Sequence, residues 1–249
     1  MKKIIAVANQ KGGVGKTTTS INVSASIALA QHSVLLVDLD PQANATSGMG
    51  IQTPDTTIYD CLMARAMIDE AIVTTEVAGL DMIASGSDLA GAEIELSNIS
   101  GREEVLKNIL GNIEKDYEWI VLDCPPALGL LTINALVSAN SVLIPVQCEY
   151  YAMEGLGRLI GNIDRIKESV NPNLELEGIV LTMYDSRINL SRQVEKEIRE
   201  YFGEKVYQSM IPRNVSLAES PSYGKPALLY NAASSGSRAY VDLAKEMIA

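Results

Sequence analysis

Two lysines, three glycines and a run of threonines crowd together in NQKGGVGKTTTS, residues 9–20, and no other stretch of the chain is so well equipped for chemistry. Gly12, Gly13 and Gly15 let a backbone pass close to a bulky anion, and with Val14 they supply successive N–H groups to face it. Lys16 has the type and spacing that reach the β and γ phosphates of a nucleotide. The Thr17 hydroxyl has those of a Mg2+ ligand, and Thr18 continues the row into a helix start. The strict G-x-x-x-x-G-K-[ST] pattern fails at its first glycine, which falls on Gln10, and a second lysine, Lys11, stands inside the loop instead. Two further segments carry carboxylates suited to the same anion. VDLDPQANATS (37–47) closes an apolar run with Asp38 and Asp40, and WIVLDCPPALG (119–129) closes another with Asp123. A carboxylate so placed orients an attacking water or holds the Mg2+ shell, the positioning work on which phosphoryl transfer depends. The pattern around Asp123 is that of a Walker B strand, with Asp123 expected to bind Mg2+ directly or through water.

These residues need a scaffold, and the pattern of the chain supplies one. Short apolar runs, rich in β-branched residues and bounded by turn formers, recur at 4–9, 34–38, 80–84, 119–123, 141–146, 178–183 and 206–211. Each reads as a strand buried on both faces. Between them, 17–30, 102–114, 154–169, 189–202 and 236–248 read as helices. Strand and helix in alternation predict an α/β fold, a doubly wound and mostly parallel sheet of seven or eight strands with helices on both faces. No linker, repeat or shift in composition divides the chain, so residues 1–249 are expected to form one domain that begins at Met1.

Composition excludes other classes. The 249 residues are 47% hydrophobic and 20% charged, as in ordinary globular chains. The longest apolar runs fall far short of a membrane span, and no secretory leader opens the chain. Cys61, Cys124 and Cys148 are widely spaced and His32 is the single histidine, which leaves no zinc, cluster or triad pattern. The net charge of −11 is unevenly distributed: residues 1–186 hold 11 Lys and Arg against 24 Asp and Glu, whereas 187–249 hold 9 against 7. Phosphate neutralisation supplies most non-specific DNA affinity, so an acidic chain of this kind can bind DNA only locally, multivalently or under a switch.

The segment K-G-G-V-G-K-T (11–17) resembles the deviant Walker A motif of the ParA/MinD/nitrogenase-iron-protein ATPases, and the likeness extends over essentially the whole chain. It implies a P-loop ATPase using ATP and Mg2+, with Lys11, Lys16 and Asp40 as catalytic residues and Thr17, Asp40 and Asp123 at the metal. Lys11 matches the signature lysine, which reaches the phosphates of the opposite subunit in an ATP-bound sandwich dimer. Asp40 matches the second Asp of the first switch, which positions or activates the water, with Asp38 in support. Cys124, Pro125, Pro126 and Gly129 resemble the second switch. The likeness also implies an adenine site from LTMYD (181–185) and IPRN (211–214), with Met183, Asp185, Pro212 and Asn214 as candidates; no N-K-x-D string of the guanine-reading kind is present. Without the likeness, Lys11 reads as an exposed lysine and Asp38 to Asp40 as an Asp-Pro turn after a strand.

PVQCEYYAMEGL (145–156), IPRNVSLAESPSYGKP (211–226) and RAYVDLAKEM (238–247) resemble the chromosomal ParA (Soj) branch in particular. The last helix carries Arg238 and Lys245 against Asp242 and Glu246 with no Trp or Phe, which speaks against the lipid-docking helix of MinD relatives. The branch implies a cytoplasmic, nucleoid-associated protein whose partners are a second copy of itself, non-specific double-stranded DNA and a ParB-type centromere-binding protein that stimulates hydrolysis. Positioning of another cargo and regulation of replication initiation are the alternatives. Arg192, Lys196 and Arg199 share one face of the helix 189–202, with Arg187 just before it, and form either a DNA contact or a solvated face. Ser216 stands where such relatives often carry Arg, which leaves Arg213, Lys225 and Arg238 as further candidate cations.

Overall fold

The computed structural model describes residues 2–52 and 54–249; Met1, the expected start of the chain, lies outside the described residues. Among the described residues eight strands form one sheet: β1 (Lys3–Val7), β2 (Val34–Asp38), β3 (Ile72–Thr74), β4 (Leu80–Ile83), β5 (Trp119–Asp123), β6 (Ser141–Gln147), β7 (Glu175–Tyr184) and β8 (Val206–Pro212). Their order is β3-β4-β2-β5-β1-β6-β7-β8, and only the β3/β4 edge pair is antiparallel. The expectation of a doubly wound, mostly parallel sheet is met. The eighth strand is the short edge strand β3.

Among the described residues eleven α-helices lie between or after the strands: α1 (Lys16–Leu29), α2 (Asn44–Gly48), α3 (Ile58–Leu62), α4 (Leu89–Leu96), α5 (Val105–Leu110), α6 (Leu130–Ser138), α7 (Ala152–Ser169), α8 (Asn189–Phe202), and, following β8, α9 (Val215–Glu219), α10 (Ala227–Tyr230) and α11 (Ser235–Ile248). The helix expected over 102–114 is only α5: residues 102–104 form turns and the helix ends at Leu110, with Gly111 still in right-handed conformation. Side chains alternate across each strand. Leu35, Val37, Ile120 and Leu122 enter a core shared with α3 to α8, while Val34, Leu36, Trp119 and Val121 enter a second core shared with α1 and α11. That alternation, with both faces covered, explains why the strands read as continuous apolar runs. Each fully buried Leu or Ile contributes about 1.5–3 kcal/mol to folding.

Register fixes the site. Val7 pairs with Asp123 across β1 and β5, and Asp38 pairs with Asp123 across β2 and β5. Three strands therefore end level, and the loops after them meet at one edge. Adjacent β1 is flanked by β5 on one side and β6 on the other, so the connections diverge there, which makes a crevice at the carboxyl ends of the strands.

Candidate functional site

The glycine loop is stitched to the sheet before it meets α1. Asn9 Nδ2 donates to Pro145 O on β6 at 2.7 Å, and Asn9 Oδ1 accepts from Lys11 N at 3.0 Å. Thr182 Oγ1 on β7 donates to Val14 O at 2.8 Å. Gly13 and Gly15 adopt left-handed backbone, φ +75° and +88°, which a side chain would strain. Gly15 leads into α1 and no side chain caps that helix, so its first N–H groups, at the positive end of the helix dipole, remain available to an anion. Lys16 is 6% exposed, and its Nζ donates to Lys11 O at 3.2 Å. Burial lowers the Lys16 pKa, and the charges of Asp123, Cys124 and Asp40 oppose that shift.

The three carboxylates differ in how they are satisfied. Asp38 Oδ1 accepts from Asp40 N at 3.0 Å, and Asp38 Oδ2 accepts from Thr46 N at 2.9 Å and Thr46 Oγ1 at 2.8 Å. Asp38 thus braces the segment that carries Asp40. Burial pushes its pKa up to about 6 against the pull of those donors. Asp40 is buried; its Oδ1 accepts from Gln42 N at 3.0 Å, and its carbonyl accepts from Ser85 Oγ at 2.7 Å. Asp123 Oδ1 accepts from Ser20 Oγ at 2.7 Å, but Asp123 Oδ2 is buried with no hydrogen-bond partner. Burial and the neighbouring Asp38 raise the Asp123 pKa, with the Ser20 and Thr17 hydroxyls pulling the other way.

An orphaned buried carboxylate oxygen suits a bound cation. Among the described residues no cluster of His, Cys, Asp and Glu could hold a metal by itself. Asp123 with the Thr17 hydroxyl instead fits Mg2+, which keeps waters and takes phosphate oxygens rather than an all-protein cage. A cavity of about 460 Å³ brings Gly12, Gly13, Lys16, Thr17 and Asp40 together. Next to it an apolar cavity of about 400 Å³ is lined by Met183, Pro212, Asn214, Thr182 and Tyr240, with Gly15, Thr18 and Met183 common to both. A flat, apolar ring with a polar edge fits such a cleft. Asp185 does not line it: Arg187 donates to both Asp185 oxygens, at 2.9 and 2.7 Å, and holds that carboxyl down to about 2.

Lys11 lies outside both of these cavities, exposed and ion-paired to Glu149 of the same chain. The basic residues of the C-terminal quarter are dispersed. Arg192, Lys196 and Arg199 do share a face of α8. Lys196 pairs with Glu200, however, and Arg199, 23% exposed, pairs with Glu195 and reaches Val206 O on β8. Arg187, Arg213 and Arg238 are exposed, Arg213 at the rim of the apolar cavity, and Lys225 lines the phosphate cavity. His32 pairs with Glu118 and packs edge-on against Trp119, and all three cysteines are buried and free. Ser20, Thr46, Tyr240 and Glu149 are site residues that the sequence does not announce. Ser20 had a signal, since it follows Lys16 by one helical turn and so shares its face.

The family model described as an AAA domain matches residues 2–176. The chain is 52% identical to the sporulation initiation inhibitor protein Soj of Bacillus subtilis, covering 100% of this chain and 99% of that one. It is 49% identical to the chromosome partitioning protein ParA of Caulobacter vibrioides, covering 99% and 94%. Among solved structures, the cobyrinic acid a,c-diamide synthase of Mycobacterium smegmatis with bound ADP and magnesium superposes with a TM-score of 0.86 at 34% identity, over 100% of this chain and 94% of that one.

Proposed function

The chain belongs to the Soj/ParA family of P-loop ATPases, and from that premise we propose that it is a partition ATPase acting as one domain in the cytoplasm, at the nucleoid. It binds Mg-ATP, pairs with a second copy of itself, coats double-stranded DNA without sequence preference, and is released when a ParB-type centromere-binding protein stimulates hydrolysis. The observation that carries the chemistry is the orphaned Asp123 Oδ2, beside a loop whose helix start is uncapped and whose Lys16 is buried. Mg2+, when bound by Asp123 and Thr17, neutralises charge on the phosphates.

The chain's own residues supply the rest. Lys16 and the N–H groups of the loop hold the phosphates, and the apolar cavity at Met183, Pro212 and Asn214 takes adenine. Asp40 has one oxygen fixed on Gln42 N, which leaves the other to orient the attacking water. Asp38 keeps that carboxylate in place. Lys11 is anchored only through its own backbone and Glu149, so it is free to leave that pair for a neighbouring subunit. Arg192, Arg213 and Arg238, with Arg187 once it leaves its Asp185 pair, make the DNA surface. Four cations per subunit bind duplex weakly, whereas a dimer offers about eight, with a salt slope of about −7. DNA binding then depends on the ATP dimer.

Size-exclusion chromatography of Asp40→Ala with Mg-ATP, Mg-ADP or no nucleotide, followed by binding to a random-sequence duplex at two salt concentrations, tests the scheme. The expected result is a dimer with ATP only, retained on DNA only as that dimer and lost at higher salt. A dimer without DNA retention moves the function to another cargo or to protein regulation. Undiminished hydrolysis removes Asp40 from the chemistry.

A further inference from the structure

Lys225 lines the phosphate cavity together with Gly12, Gly13, Lys16, Thr17 and Asp40, although more than 200 positions separate it from the loop. Its backbone is pinned from several directions. Lys225 N donates to Ser220 O at 3.3 Å. Ala227 N donates to Asn22 Oδ1 at 2.8 Å, and Asn22 Nδ2 donates in turn to Thr18 O at 2.8 Å, which ties the turn to α1. Just ahead of it, Gly224 (φ +63°) lies backbone to backbone against Gly50 (φ +73°): a Cβ on Gly224 would stand 2.5 Å from Gly50 Cα, and one on Gly50 would stand 2.8 Å from Gly224 O. Gly50 closes the segment that begins at Asp40 and passes through α2. The turn carrying Lys225 is therefore fixed both to the helix of the glycine loop and to the Asp40 segment.

The side chain is held far less firmly than the backbone. It is 44% exposed and pairs with Glu76, itself 67% exposed, at 3.3 Å. An exposed ion pair of this kind is weak. A charge-assisted hydrogen bond to a phosphate oxygen inside a partly desolvated cavity is stronger. The cavity also needs the charge, because Lys16 is its one buried cation among the described residues and Asp40 and Asp123 lie close to it. We infer that Lys225 is a positioning and affinity-determining residue of the nucleotide site, its ammonium exchanging Glu76 for a phosphate oxygen of the nucleotide bound in the same subunit. The inference rests on the nucleotide-binding reading above, and it removes Lys225 from the DNA surface.

Equilibrium titration of Mg-ATP and Mg-ADP into the native protein, Lys225→Ala, Lys225→Arg and Glu76→Gln tests it, with no turnover needed. Lys225→Ala is expected to lose about tenfold in affinity for nucleotide. Lys225→Arg keeps most of the affinity, and Glu76→Gln, which frees the ammonium, tightens binding by about twofold to threefold. Native binding with unchanged affinity in Lys225→Ala overturns the inference alone. So does a Lys225→Ala protein that holds nucleotide normally but loses DNA retention, which returns the lysine to the DNA surface. A native protein that binds neither nucleotide overturns the nucleotide reading, and this inference with it. Should Lys225→Ala fail to fold, Glu76→Gln and Lys225→Arg decide: unchanged affinity in the first together with full loss in the second refutes the exchange.

Discussion

Replacing Asp38 by Asn separates a brace from a bystander. The carboxylate accepts one hydrogen bond on Oδ1, from Asp40 N, and two on Oδ2, from Thr46 N and Thr46 Oγ1. An amide has one accepting oxygen, so its NH2 must face a donor whichever way it is turned. The better orientation keeps the Thr46 pair and sets the NH2 against Asp40 N. One hydrogen bond to a charged acceptor is lost, worth about 1.5–3 kcal/mol, and a buried N–H is left without a partner at about 1–3 kcal/mol. Removing a buried negative charge beside Asp123 offsets part of this, leaving a net destabilisation of about 1–3 kcal/mol. The larger effect falls on turnover, because the released backbone is that of Asp40, and a misplacement of about 1 Å at a reacting centre costs on the order of 100-fold. Urea unfolding, with the ATPase rate measured at saturating Mg-ATP, reads both quantities. Asn at position 38 with a native unfolding midpoint and turnover within about twofold of native refutes the brace.

Lys11→Ala is expected to bind Mg-ATP with near-native affinity while forming no ATP-dependent dimer on size-exclusion chromatography; normal dimers in that variant remove the intersubunit role of the lysine. The pH dependence of stability has a definite sign in the absence of Mg2+. Asp38 has its folded pKa raised to about 6, so its contribution is fully present below the ordinary carboxylate value of about 4 and is lost as pH rises through about 6. Asp123 is shifted in the same direction. Unfolding free energy of the native protein should therefore fall between pH 4 and pH 7 more steeply than that of Asp123→Asn, as urea titrations at several pH values will show; equal slopes contradict the burial of charge described above.

Where the sequence was legible, a local physical signal was strong. The bounds of β2 and β5 are read correctly because both faces of those strands are buried, so the apolar run and the strand coincide. α8 is equally plain, since Val194 and Ile198 lie inward among charged neighbours. The loop, Asp38, Asp40 and Asp123 are contiguous motifs whose role depends on their own strand ends. Legibility failed where stability comes from distant contacts. α2 and α10 have too few residues to show a period, and they are held by packing such as Gly48 against Ile21 or by Asn22 on Ala227 N. Tyr240 reaches the site through its hydroxyl, 3.0 Å from Thr19 Oγ1 and 221 positions away in the chain. The face of α8 was read correctly as a face, but the sequence could not tell that Arg199 is largely spent on Glu195 and the carbonyl of Val206.

Asp38 and Asp123 end neighbouring strands in direct register, and by type, burial and position nothing distinguishes them. Hydrogen bonding does. Asp38 has both oxygens engaged in hydrogen bonds from the segment that carries Asp40, and its charge is spent largely in holding that loop. Asp123 keeps one oxygen bare at the cost of burying it. Burial raises both pKa values, and the charge of Asp38 adds to the rise at Asp123. A cation bound at Asp123, as proposed above, would offset that cost. With three acids around one buried lysine, a bare polyphosphate meets a site of its own sign, whereas the same polyphosphate arriving with Mg2+ supplies the charge that Asp123 needs. In the nucleotide site proposed above, that favours the metal complex of the nucleotide over the free nucleotide, through a buried carboxylate oxygen that has no hydrogen-bond partner.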